Sequence, residues 1–421
     1  MKKRKFERVD EEILIEKLDN GIEVYMYPTQ KTKNFYITIS VKYGARINKY
    51  KIDDKIFDII PGSAHFLEHK VMALSENIEI SNRINDLGSL ANAWTSYYGT
   101  NYNIFGSINP LENLRLLLDI FYNTNINEKC VEEEKGIIAE EIDMYKDKID
   151  RYMYDRLFDN LFNTSYVKNT VLGSRDDISK ITAKSLNKIY KDFYIPNNTF
   201  ITVCGNFNAE EMLEEIKKYM SKLNLKQKTL PKRIKLKEKD TVSVSLEEIQ
   251  KDIQDVRVKY AIKLNKKIFG IKNDNILKNY LGIIMSSNFS ATSQLYEKYK
   301  NNDIMISMGY GINTIDDHII ININGFTKDG NNFIENIKKD ITKLKLDKDE
   351  FERKKKYYLK SYITGFDNIE DIEYNITMSL MIDGKIDYNE YKTISDMTYE
   401  EALRIISLIN TDNTSIIKTV K

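Results

Sequence analysis

The sequence predicts an α+β fold of two similar domains, each an antiparallel or mixed sheet packed with helices. Three observations lead there. Stretches of alternating apolar residues, which suit half-buried strands, interleave with stretches of helical apolar spacing. The succession strands, helices, strands, helices then occurs twice, in halves of roughly 200 residues each. Between the two rounds, residues 226–239 carry many cations, Pro231 and few apolar side chains, the composition of a linker. A chain of 421 residues is also too long for one compact core. The expected division is 1–225 for the first domain, 226–240 for the linker and 241–421 for the second.

The chain opens on strand character at 13–15 and 22–27, with Asp19-Asn20-Gly21 as the turn between them. A third apolar run, 35–41, precedes Tyr43-Gly44. Pro61, Gly62 and Ser63 are start signals for a helix that continues to Met72-Ala73-Leu74. A second helix over 82–87 is closed by Gly88, and 89–108 returns to strands around Gly99. Residues 111–121 are helical by apolar spacing, and 128–162 read as one long helical region with no proline. A helix over 183–194 ends before Pro196, a strand follows at 200–205, and 209–223 is an amphipathic helix. Beyond the linker come strands at 242–246 and 256–262, helices at 276–286 and 291–299, and strands at 304–309 and 319–323. Helices follow at 333–344, 348–363 and 400–409.

Composition removes several function classes. Lys+Arg (64) and Asp+Glu (63) nearly cancel, so no bulk field favours nucleic acid or an anionic membrane. No apolar run of about 18 residues occurs, so no spanning helix is expected. The basic start Met1-Lys2-Lys3-Arg4-Lys5 leads into Phe6-Glu7-Arg8-Val9-Asp10, which is not the apolar core of a signal peptide. Two cysteines, Cys130 in a helical stretch and Cys204 in a strand-like one, read as reduced structural thiols. The expected compartment is the cytoplasm.

Chemistry concentrates in one pentapeptide. The chain has three histidines, and two of them stand in His65-Phe66-Leu67-Glu68-His69. On a helix, positions i, i+3 and i+4 share a face, so both imidazoles and the Glu68 carboxylate point one way. Two neutral imidazoles at that spacing suit a borderline-soft divalent ion such as zinc. The order H-x-x-E-H, with the acid beside the second histidine, is a metallopeptidase pattern. His318 stands alone and reads as an ordinary strand or loop residue.

Two histidines need a third protein ligand and an open position for water. The segment Val131-Glu132-Glu133-Glu134-Lys135-Gly136-Ile137-Ile138-Ala139-Glu140-Glu141-Ile142 offers carboxylates. Val131, Ile137, Ile138, Ile142 and Tyr145 form its expected buried stripe. Glu134 and Glu141 lie two turns apart on one side of the helix, and Glu133 and Glu140 form a second such pair. Periodicity does not choose between the pairs.

His65-Phe66-Leu67-Glu68-His69-Lys70 followed by Glu134-Lys135-Gly136-Ile137-Ile138-Ala139-Glu140-Glu141-Ile142 resembles the insulinase/pitrilysin family of zinc peptidases, the inverzincins. Tyr43-Gly44, Ala91-Asn92-Ala93-Trp94-Thr95-Ser96 and Asp177-Ile178-Ser179-Lys180-Ile181-Thr182 fit as well. Weaker marks in the second half are Ser286-Ser287-Asn288 and Gln294-Leu295-Tyr296-Glu297, which look like the short Gram-positive branch. The resemblance implies a fold like that of mitochondrial processing peptidase. It implies that His65, His69 and Glu141 hold Zn2+, that Glu68 is the general base, and that Glu134 steadies the ligand geometry. Asn92, Ala93 and Trp94 would form a substrate-binding edge strand, where a peptide adds by backbone pairing.

By the same resemblance the activity would be zinc-dependent endopeptidase cleavage of short or unfolded peptides. The second domain of the family usually carries an Arg and a Tyr seven residues apart that grip the substrate carbonyl. Around 296–311 this chain has Lys298, Tyr299, Lys300 and Tyr310 but no arginine. Because the family's four-domain enzymes are twice this length, a half-size chain implies a homodimer, or a heterodimer with a related, inactive subunit. Alternative readings are a dedicated processing peptidase for a ribosomally made peptide of bacteriocin type, and a peptide-binding subunit of a peptidase complex. A further one is an S-ribosylhomocysteine lyase-like site, in which Cys130 replaces Glu141 as third ligand.

Overall fold

The computed structural model describes residues 1–73 and 78–421; Leu74, the expected end of the motif helix, lies outside the described residues. The first half runs β1 (Lys2–Lys5), β2 (Glu12–Lys17), β3 (Glu23–Pro28), β4 (Phe35–Val41), β5 (Lys49–Ile52), β6 (Lys55–Asp58), α1 (Ser63–Met72), α2 (Ile78–Asp86), β7 (Leu90–Thr95) and β8 (Thr100–Gly106). It continues through α3 (Pro110–Tyr122), α4 (Glu128–Asp147), α5 (Ile149–Leu161), α6 (Arg175–Lys180), α7 (Ala183–Phe193), β9 (Thr199–Gly205), α8 (Ala209–Leu223) and β10 (Lys232–Arg233). The second half runs β11 (Leu246–Gln250), β12 (Val256–Asn265), α9 (Asp274–Phe289), α10 (Gln294–Asn301), β13 (Ser307–Ile315) and β14 (His318–Thr327). Helices α11 (Gly330–Ile341), α12 (Lys348–Thr364), α13 (Ile369–Ile382), α14 (Glu390–Ser395) and α15 (Tyr399–Leu408) precede β15 (Thr414–Val420).

The chain divides into two compact α+β units, as expected, but they interleave in sequence. Unit 1 takes 1–144, 169–235 and 363–389; unit 2 takes 145–168, 236–362 and 390–421. A single cut at 226–240 therefore describes only part of the division. The physical reason lies in two helices. Helix α13 spaces Ile369, Ile372, Ile376 and Leu380 at helical intervals and buries them against Tyr25, Tyr27, Phe200 and Cys204 of the first sheet. Helix α5 buries Met153, Leu157, Phe158 and Leu161 and lies on β12 and β15 of the second. The expected single helical region over 128–162 accordingly breaks at Lys148, whose ψ of 88° is not helical.

Unit 1 holds a seven-stranded sheet in the order β1-β2-β3-β9-β4-β8-β7, all antiparallel except β3 with β9. Strand β1, which its Lys-Arg composition hid, pairs with β2 and is supported by Lys3–Glu12 at 3.0 Å. A small sheet, β10-β5-β6, joins the linker segment to this unit. Unit 2 holds β11-β15-β12-β14-β13, with β11 and β15 parallel. Its first strand starts later than expected, at Leu246 rather than at 242. Glu238 fastens the rest of the linker there: its carboxylate accepts from the backbone N–H groups of Asn163, Thr164 and Ser165 and from Lys263. The strand sequences β3-β9-β4-β8-β7 and β11-β15-β12-β14-β13 match in order and in direction, so the two units repeat one plan.

Candidate metal centre

Helix α1 starts where Pro61 and Gly62 predict it. Gly62 caps it at φ +85°, and a Cβ at that position would stand 2.4 Å from the Leu172 carbonyl, so glycine alone fits. The helix packs against β7 and β8 and against α3, and it buries Ala64, Phe66, Leu67 and Val71. The same packing buries His65, of which 7% stays exposed, and turns His69 toward α4.

Helix α4 answers with acids. Glu134 is buried and Glu141 half-buried, whereas Glu133 and Glu140 are exposed, so the choice that periodicity left open falls on the 134/141 pair. The expected apolar stripe is corrected at one place: Ile137 is 57% exposed. Val131, Ile138 and Ile142 are buried with Glu134 between them, because the partners supplied by α1 let a carboxylate take an inward position.

His65 Nε2 and His69 Nε2 stand 3.5 and 3.4 Å from Glu141 Oε2, and the ring centroids are 4.5 Å apart at 61°. One donor atom from each of these residues lies within 4.8 Å of the other two. Contacts of that length are poor hydrogen bonds, and Glu141 Oε2 is buried without one. Three convergent donors, two imidazole nitrogens and one carboxylate oxygen, fit a zinc ion with a position left open. On the far side of the ring, His69 Nδ1 lies 2.9 Å from Glu134 Oε1, and Glu134 Oε2 accepts from Lys70 Nζ at 2.6 Å. The Glu68 carboxylate accepts from the Thr95 hydroxyl at the end of β7.

Electrostatics separate these groups. Burial, aided by the neighbouring His69, drives His65 down to about 4. Burial also opposes charge on His69, but the hydrogen bond to Glu134 and the nearby Glu141 carboxylate outweigh it and raise that imidazole to about 9. Glu134 goes the other way: against its burial, His69 and Lys70 hold it at about 2. Burial raises Glu68 above the ordinary carboxylate range, partly offset by the Thr95 bond. A carboxylate moved upward is better matched to proton transfer near neutral pH.

The other residues singled out in the sequence lie as follows. Asn92, Ala93 and Trp94 are on β7, the last strand of the unit 1 sheet, paired with Asn103, Tyr102 and Asn101 of β8. Ala93 N–H donates to Asn92 Oδ1 at 2.8 Å, and the Trp94 ring lies 6.3 Å from that of Tyr374. Cys130 is one turn before Glu134, with its thiol 3.6 Å from the Asn125 carbonyl and outside the donor cluster. His318 begins β14 and pairs with Asp240 at 2.9 Å. In unit 2, Tyr299 is buried and bonded to Asp340, and Lys298 lies 3.4 Å from the same acid. Two contributors escaped the sequence reading, Lys70 and Thr95. Lys70 gave one signal, a lysine on the buried side of a helix; Thr95 gave none beyond its place two residues after Ala93.

Comparisons with known proteins agree with the fold. The family model "Insulinase (Peptidase family M16)" matches residues 29–175, and "Peptidase M16 inactive domain" matches 180–358, so together they cover well over half of the chain. The uncharacterized zinc protease YmfH of Bacillus subtilis is 28% identical over 301 residues, 70% of each chain. The mitochondrial-processing peptidase subunit beta of Dictyostelium discoideum is 25% identical over 225 residues, 52% of this chain and 46% of that one. An M16-like peptidase structure from Alicyclobacillus acidocaldarius superposes with a TM-score of 0.90 at 21% identity, covering 98% of this chain and 99% of that one. With the inverted histidine motif, the acidic helix beside it and a second unit that repeats the fold without the motif, the chain belongs to the insulinase (M16) family of peptidases.

Proposed function

We propose that this protein is a zinc-dependent endopeptidase acting on short or unfolded peptides. The observation that carries the reading is the meeting of His65 Nε2, His69 Nε2 and Glu141 Oε2 beside a buried Glu68. When bound there, zinc supplies a Lewis acid and lowers the pKa of a coordinated water toward about 7. Glu68 would be the general base, taking a proton from the attacking water and passing it to the leaving amine, with Thr95 fixing its carboxylate. Glu134 orients His69 through Nδ1 and leaves Nε2 for the metal. An extended peptide adds to the free edge of β7 at Asn92–Trp94, where an incoming carbonyl takes the place of Asn92 Oδ1 on Ala93 N–H.

The working unit in this reading is a dimer, of this chain with itself or with a related subunit; a relative of the same family is named as a subunit. Two free thiols suit a cytoplasmic setting. Among the described residues no helix is long and apolar enough to cross a membrane. A quenched-fluorophore peptide library tests the activity. Cleavage should stop on adding 1,10-phenanthroline and return with stoichiometric zinc. Cleavage that persists through exhaustive chelation contradicts the proposal.

A further inference from the structure

Lys70 is an unusual neighbour for a metal ligand. Its side chain is only 5% exposed, and its ammonium group meets two acceptors on α4: Glu134 Oε2 at 2.6 Å and the Cys130 carbonyl at 3.2 Å. Burying an ammonium group is costly unless it is paired and hydrogen-bonded, and both conditions hold here. The acceptors lie four residues apart, one helical turn, so a single lysine spans a turn of α4 from its place on α1.

The Glu134 carboxylate is thereby used at both ends. Oε2 is held by Lys70, and Oε1 lies 2.9 Å from His69 Nδ1. A carboxylate fixed at one oxygen presents the other in one direction only. That direction decides which ring nitrogen of His69 carries the proton and how the ring is turned. Nε2 is then left facing Glu141 Oε2, 3.4 Å away, where His65 Nε2 also points.

We propose that Lys70 is a positioning residue of the metal centre, acting through Glu134 to set the orientation and tautomer of His69. The inference rests on the zinc part of the proposed function. With Met in place of Lys70, the side chain keeps its length and burial but Oε2 loses its donor, Glu134 is free to turn, and the aim of His69 loosens. Removing partners of this kind typically weakens metal binding about 10–100-fold.

The test is zinc affinity by chelator competition on purified Lys70→Met, Glu134→Gln and the double variant, with the visible spectrum of the cobalt-substituted proteins alongside. Lys70→Met should weaken zinc about tenfold or more and alter the cobalt spectrum. In the double variant the two losses should not add, because lysine and glutamate act as one unit. The double variant also replaces a buried charge pair with a neutral one, so it remains informative should the single change fold poorly. A lysine that only supports the fold would lower the melting temperature of the metal-free protein and leave zinc affinity and spectrum as in the wild type. That result, or additive losses, overturns the proposal. A wild-type protein that binds no zinc removes the proposed function and this inference together, which separates the two failures.

Discussion

The two units share a plan and differ at one corner. In unit 1, α1 lies against β7 and faces α4; in unit 2, α9 lies against β13 and faces α12. At that corner α1 offers His65, Glu68 and His69, and α4 answers with Glu134 and Glu141. In unit 2 the corner holds Gly282, Ser286, Tyr310 and Tyr358. Tyr358 lies so close that a Cβ on Gly282 would stand 1.9 Å from its hydroxyl, and the Tyr310 hydroxyl donates to the Gly282 carbonyl at 3.5 Å. One corner brings two imidazole nitrogens to 3.4–3.5 Å from one carboxylate oxygen; the other is closed by aromatic packing and neutral hydrogen bonds. The fold supplies the place, and a handful of side chains decide whether it holds chemistry.

The largest effect should come from breaking the corner of unit 1. Glu141→Gln removes the one charged donor, and we expect zinc binding to fall sharply and peptide cleavage to drop at least about 10³-fold, the several kcal/mol that a bound metal supplies. Metal analysis and kinetics on the same preparation check this; full zinc occupancy in the variant would remove Glu141 from the ligand set.

Next in size is the anchor of unit 2. Glu238 is held at about 2 against an ordinary 4.5: burial opposes its charge, but three backbone N–H groups and Lys263 more than offset it. A carboxyl lowered in the folded state contributes stability above pH 4.5 that is lost as pH falls from about 4.5 toward 2. Glu238→Gln should therefore cost about 2–3 kcal/mol near neutral pH and flatten the acid limb of the stability curve. Denaturant titrations at pH 7 and pH 3 measure both. Zinc content should not change, because every partner of Glu238 named above belongs to unit 2.

The smallest effect is expected at the silent corner. Gly282→Ala pushes the Tyr358 ring end aside, a flexible group, so we expect about 1 kcal/mol of destabilisation and unaltered cleavage. Thermal melts and a kcat/KM measurement on this variant set the baseline against which the unit 1 variants are judged.

The sequence displayed much of this, and the gaps have physical causes. Strands such as β4 and β9 and the paired histidines of α1 were visible because burial and ligand spacing leave periodic marks. The choice between Glu134/Glu141 and Glu133/Glu140 came only from the resemblance, not from periodicity, since an apolar stripe counts Ile137 as inward and acids as outward. Inward acids become stable only through partners on another helix, His69 and Lys70, which a one-helix pattern does not contain. Helix α13 shows the same limit at larger scale. No helix was expected over 369–382, although Ile369, Ile372, Ile376 and Leu380 stand at helical intervals, and nothing local says that they cover the sheet of unit 1. The basic run of β1 failed for the opposite reason: an exposed edge strand held by its ladder and cross-strand charge pairs has no apolar pattern to read.

The most direct test of the account is Glu68→Gln, measured for zinc by elemental analysis and for peptide cleavage in one sample. Glu68 stands beside the donors without being one of them, so the account predicts about one zinc per chain with cleavage reduced about 10²–10⁴-fold. A variant that cleaves at the wild-type rate would contradict the account.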